Sequence, residues 1–189
     1  MLMYMTWKWI EIDNMNIVFL DIDGVLQPYD SENRFYSDRS IISKLSEKYN
    51  IDYSQYSFYD VTAVYYDWDD QAVARLKYIL DKTDSKIIIS SDWRSKDYPD
   101  KMKDLLSIHK LDNYYYCDNI ILSKSSSLAY TRYLEIKDSL KRYDISNYLV
   151  LDDMKDMIEY FPNNSVITKN IISINDMNES IKILKRKWT

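Results

Sequence analysis

The 189-residue sequence is short of several residue types, and each shortage excludes something. It has one glycine, Gly24, which rules out the glycine-rich phosphate loops of nucleotide-binding folds, since those need several. It has one cysteine, Cys117, so no disulfide can form within the chain, and a reducing, cytoplasmic setting is expected. With a single histidine, His109, added to that cysteine, a His/Cys zinc site is excluded. No apolar run reaches the roughly 18 residues of a membrane-spanning helix, so no membrane partner is expected. Positive charge is also short: 25 Lys and Arg stand against 30 Asp and Glu, a formal net charge of −5. That balance argues against a broad surface for nucleic-acid backbones, although a local pocket or a cation can still bind one phosphate.

What is present is ample apolar material, 46% of residues, enough for a sizeable core in one domain of 1–189. Three short apolar runs stand out as buried parallel strands: Asn16–Leu20, Lys86–Ile89 and Tyr148–Leu151. Weaker strand candidates are Asn119–Leu122 and Ser165–Thr168. Helical spacing appears over Asp70–Asp81, with Asp69 or Asp70 as its cap, and over Lys101–His109, Leu134–Tyr143 and Asp176–Lys187. Strands alternating with helices predict an α/β fold, Rossmann-like and three-layered, with a mainly parallel sheet. Residues 27–68 break the alternation and read as a small cap insertion over the carboxyl edge of the sheet, with a helix at Asp38–Tyr49 and a strand around Val61–Tyr66. Met15 stands just before the first strand. Translation from there would make residues 1–14 a dispensable extension.

Ligands of open α/β sheets bind beyond the carboxyl ends of the strands. The first strand ends in Asp21 and Asp23, the second in Ser90 and Ser91, and the third in Asp152 and Asp153. Close carboxylates repel unless a cation or proton lies between them, and Mg²⁺ suits an all-oxygen site that also takes phosphate. An aspartate can attack phosphorus, a second acid can serve the leaving group, and hydroxyls can hold phosphate oxygens. Gly24, directly after Asp21-Ile-Asp23, marks a close approach or a backbone turn that a Cβ would obstruct.

These motifs resemble the haloacid dehalogenase-like phosphatase superfamily in order and spacing: Asp21-Ile-Asp23-Gly24-Val25, Ile87-Ile-Ile-Ser90-Ser91, and Leu149-Val-Leu-Asp152-Asp153. A narrower likeness, carried by Ser90-Ser91-Asp-Trp93-Arg94 and Arg132-x-x-Glu135-Ile136, is to a small subgroup related to the phosphatase domain of Swiss army knife RNA-repair proteins. The resemblance implies Asp21 as nucleophile and Asp23 as general acid/base. It places Mg²⁺ on Asp21, the Asp23 carbonyl and Asp152 or Asp153. The cation that completes such a site has three candidates, Arg132, Lys124 and Lys137; Arg132 is preferred, with Lys124 second, and the expected phosphate contacts are Ser90, Ser91, Gly24 and Lys124. Trp93 is expected to pack, His109 to lie on the surface, and Arg94 either to pair structurally or to touch substrate. The expected reaction is Mg²⁺-dependent hydrolysis of a small phosphorylated metabolite or nucleotide through an aspartyl-phosphate. The alternatives are a 3'-phosphatase on nucleic-acid ends and a catalytically idle, metal-binding interaction module. Intact Asp21 and Asp23 speak against the last.

Overall fold

The computed structural model describes residues 15–123 and 127–186. Its centre is a parallel sheet of five strands in the order β3-β2-β1-β4-β5. The strands are β1 (Met15–Leu20), β2 (Ser85–Ile89), β3 (Tyr115–Asp118), β4 (Ile145–Asp152) and β5 (Ser165–Ile167). β1 holds the middle because both its faces are apolar: Ile17, Val18, Phe19 and Leu20 are all fully buried.

Alternation along the strands divides the core into two layers. Val18, Leu20, Ile87, Ile89, Leu149 and Leu151 face one way, toward α3 (Asp70–Thr83), α4 (Lys101–Ser107) and α7 (Ile174–Leu184). Ile17, Phe19, Ile88 and Val150 face the other, toward α5 (Leu128–Arg142) and α6 (Met157–Tyr160). This is the three-layer arrangement expected. α3 buries Ala72, Val73, Leu76, Ile79 and Leu80, and Asp69 caps it by accepting the Ala72 N–H at 2.8 Å. α7 begins with a capping box between Ser173 and Asp176. None of these helices is long and apolar enough to cross a membrane.

Three elements differ from the sequence reading. The edge strand β3 is Tyr115–Asp118, not Asn119–Leu122. An edge strand is only half-buried, so its Tyr-Tyr-Cys-Asp pattern is weaker than the Ile-Ile pair that follows it. Residues Phe58–Tyr66 form a helix, α2, where a strand was expected over 61–66. Its β-branched and aromatic composition favours a strand, but packing overrides it: Val61, Thr62, Ala63 and Val64 are all fully buried. Finally, α5 begins at Leu128 rather than Leu134, capped by Ser127, so Arg132 lies inside the helix instead of at its start.

The 27–68 stretch also holds α1 (Ser40–Tyr49). Its buried residues Leu45, Tyr53, Tyr56, Val61, Val64 and Trp68 are continuous with the core that contains Met102, Leu105 and Leu106. The Tyr53 hydroxyl bonds the Asp104 carbonyl at 2.9 Å, and Asp60 pairs with Lys101 at 2.6 Å. Its first residues run back toward the strand ends, where the Tyr29 N–H donates to Asn170 at 2.9 Å.

Candidate active site

The strand register makes the site. Leu20 pairs with Ile89 on one side and with Leu151 on the other. The next residues therefore emerge side by side. Asp21 N donates to the Leu151 carbonyl at 3.0 Å, and Ser90 N to the Leu20 carbonyl at 2.8 Å. The apolar strands stop where the polar residues begin, which brings Asp21, Ser90, Ser91 and Asp152 together, all at most 5% exposed.

Arg132 reaches this group from α5. Its Nη1 lies 2.8 Å from Asp21 Oδ2 and 2.8 Å from Asp152 Oδ2. Burial opposes its charge, but Asp21 and Asp152 outweigh burial and hold the guanidinium above its ordinary range. Burial pushes the Asp21 carboxyl up. Asp152 adds to that, while Arg132, the Ser91 hydroxyl and the Ile22 amide work against it. Asp152 is raised for the same first reason, again against the pull of Arg132. Among the described residues Arg132 is thus the cation in contact with Asp21 and Asp152. Lys137 is exposed and lies over the Tyr133 ring at 5.8 Å. Lys124 lies outside the described residues, as does the 1–14 segment.

One carboxylate oxygen each from Asp21, Asp152 and Asp153 lies within 4.8 Å of the others. Three hard oxygen donors at that spacing fit Mg²⁺. The hydroxyl of Ser90 is buried without a hydrogen-bond partner among the described residues, as is Arg132 Nε, so unmet polar capacity remains beside the carboxylates. The Asp23 side chain is not part of this cluster. Its Oδ1 accepts from Gln27 Nε2 at 2.9 Å, and its Oδ2 from Trp93 Nε1 at 2.9 Å. Toward a cation, Asp23 has its backbone carbonyl left to offer.

Gly24 has φ +70°, a left-handed backbone. A Cβ there would fall 2.6 Å from Tyr29 Cζ and 2.9 Å from Asp153 Cβ. In this structure the close approach at Gly24 is made by the chain's own Tyr29, whose hydroxyl donates to Asp153 Oδ2.

Arg94 is a structural residue. It pairs with buried Glu135 at 2.8 Å and donates to the carbonyls of Ser91 at 2.6 Å and Ile120 at 2.7 Å. Glu135 also accepts the Leu122 N–H at 2.9 Å. One ion pair thus ties the loops after β2 and β3 to α5, one helical turn from Arg132. His109 is half-buried and not the freely exposed residue expected: it stacks on Trp68 at 5.4 Å, its Nε2 meets the Val64 carbonyl at 2.7 Å, and burial lowers its pKa. Trp93 does more than pack, because its indole N–H is spent on Asp23. Cys117 is half-buried beside the Tyr143 hydroxyl, and burial pushes its thiol up, away from the thiolate a nucleophile needs.

Comparison with curated proteins gave no match, and comparison with solved structures gave none. A family profile described as the HAD domain in Swiss Army Knife RNA repair proteins matches residues 17–176, from β1 into α7. The match spans every strand and all of the residues assembled above, and the chain belongs to that HAD-like family.

Proposed function

We propose that this chain is a Mg²⁺-dependent phosphomonoester hydrolase. The observation that carries the reading is the position of Asp21, level with the ends of β2 and β4, with Arg132 on its Oδ2 and Ser90 and Ser91 beside it. In this reading an Asp21 carboxylate oxygen attacks phosphorus as the ester P–O bond breaks. Asp23 hands its proton to the departing oxygen, and in the second half it takes a proton from the water that cleaves the aspartyl-phosphate. Arg132 offsets charge on the transferring phosphoryl oxygens, as cations do in phosphoryl transfer, and keeps Asp21 and Asp152 from repelling each other. The Ser90 hydroxyl, without a partner among the described residues, would donate to a phosphate oxygen. Asp21, the Asp23 carbonyl, Asp152 and Asp153 would hold Mg²⁺, which when bound supplies further positive charge to the phosphate.

The substrate is a phosphorylated small molecule or nucleotide. The family description, with its RNA-repair proteins, supports a second reading: removal of a 3'-phosphate from a nucleic-acid end. The net charge of −5 weighs against a long nucleic-acid footprint. Assays with p-nitrophenyl phosphate, nucleotides and 3'-phosphorylated oligonucleotides, each with Mg²⁺ and with EDTA, separate these readings. Turnover in Mg²⁺ that is lost in EDTA and in Asp21→Asn is expected. Full activity in either condition refutes the mechanism, and cleavage of oligonucleotide ends alone favours the second reading.

A further inference from the structure

Asp23 is held in a way its assigned role does not require. Both of its carboxylate oxygens accept hydrogen bonds from neutral donors, at 2.9 Å each, and the two donors come from separate elements. Gln27 follows Asp23 in the same turn, where the Gly24 N–H donates to the Gln27 carbonyl at 2.8 Å. Trp93 comes from the loop after β2, seventy residues away. The Trp93 ring is itself fixed: it meets Trp68, at the end of the 27–68 insertion, edge to face at 6.1 Å, and Trp68 is sandwiched on its other contact by His109. An edge-to-face indole pair with one ring buried leaves Trp93 little room to rotate. An ionised carboxylate has about four lone-pair directions. Two are occupied here, so the carboxyl plane cannot turn about its own axis without breaking a bond.

We propose that Trp93 and Gln27 are positioning residues for Asp23, and that Trp68 extends this control to the insertion. The inference rests on the phosphatase reading above. In the first step the Asp21–phosphorus bond forms, the ester bond breaks, and the Asp23 proton moves to the ester oxygen. Asp23 is left as the carboxylate that the Trp93 and Gln27 N–H groups are placed to receive. A carboxyl free to rotate would hold its proton off the line to the leaving oxygen for part of the time.

A general positioning defect slows all substrates alike, whereas a defect in proton donation slows those with basic leaving groups most. Phenolate leaves as a stronger base than p-nitrophenolate and needs the proton more. Trp93→Phe keeps the ring against Trp68 and removes the N–H. Gln27→Met keeps volume and removes the other donor. Each variant is expected to lower kcat/KM for phenyl phosphate about tenfold and for p-nitrophenyl phosphate less than about threefold. The Trp93 indole proton resonance, shifted downfield by its bond to Asp23, is expected to move upfield in Asp23→Ala. Wild-type protein inert toward both esters in Mg²⁺ overturns the phosphatase reading. Wild-type turnover with an unchanged ratio between the esters in both variants, or an indole resonance indifferent to Asp23→Ala, overturns the positioning role alone.

Discussion

Replacing Gly24 by alanine tests how the only glycine of the chain is used. Two separable penalties arise. The left-handed backbone at φ +70° costs a residue with a Cβ about 1–2 kcal/mol. The second penalty is steric. The Cβ would come within 2.6 Å of Tyr29 Cζ and 2.9 Å of Asp153 Cβ. Tyr29 is 60% exposed and can swing outward, losing its bond to Asp153 but little packing. Asp153 Cβ sits on the backbone and cannot move away so easily, so overpacking adds about 1–3 kcal/mol. The total is roughly 2–5 kcal/mol, equivalent to about 4–20 °C in Tm at 2–4 °C per kcal/mol for a chain of this size. Urea melts followed by circular dichroism measure it. The double variant Gly24→Ala/Tyr29→Ala divides it, since removing the ring returns the part due to Tyr29 and leaves the backbone and Asp153 parts. A Gly24→Ala midpoint equal to that of the wild type refutes the argument. A double-mutant cycle with no coupling refutes the assignment of Tyr29 as the group that fills the space.

Arg132→Met leaves Asp21 and Asp152 buried without their cation, and a loss of about 3–5 kcal/mol in metal-free protein is expected in thermal melts. Mg²⁺ is expected to return part of that loss; no response to Mg²⁺ would count against the carboxylate cluster as a cation site. In wild-type protein, Mg²⁺ at a hundred times its dissociation constant should stabilise by about 2.7 kcal/mol, and Asp153→Ala should reduce the increment. The carboxyls of Asp21 and Asp152 are raised, so the folded state binds protons more readily than the unfolded chain. Their contribution is present below the ordinary carboxylate pKa of about 4 and is lost as pH climbs through the raised values. Metal-free wild-type protein should therefore lose more stability between about pH 5 and pH 8 than Asp152→Asn, measured by paired denaturant titrations. Parallel curves would show that these carboxyls do not carry the dependence.

Much of the site is legible in the sequence because buried parallel strands are continuous apolar runs that stop abruptly. The boundaries Leu20/Asp21, Ile89/Ser90 and Leu151/Asp152 are visible as changes of composition, and the parallel register places them at one level. Arg132 is harder, since its place depends on where α5 begins. That start is set by the Ser127 cap and not by an apolar pattern. Trp93 on Asp23 and Tyr29 on Gly24 and Asp153 escape sequence reasoning for another reason: each is a long-range contact of a residue type that ordinarily packs. His109 looks like the polar face of a helix, and only the fold reveals that Trp68 covers it. The helix at Phe58–Tyr66 was hidden by residues that favour strands in isolation.

The core that residues 27–68 share with the rest of the chain has a consequence for how they can move. Leu45, Tyr53, Tyr56, Val61, Val64 and Trp68 lie in one buried cluster with Met102, Leu105 and Leu106, and re-exposing all six side chains would cost at most roughly 9–18 kcal/mol at 1.5–3 each. That is as much as the whole folding stability of an ordinary domain. Residues 27–68 are therefore part of the main core and not a loosely attached lobe: swinging them away would give up burial shared with α4. What can move without breaking that core is smaller: single exposed side chains such as Tyr29.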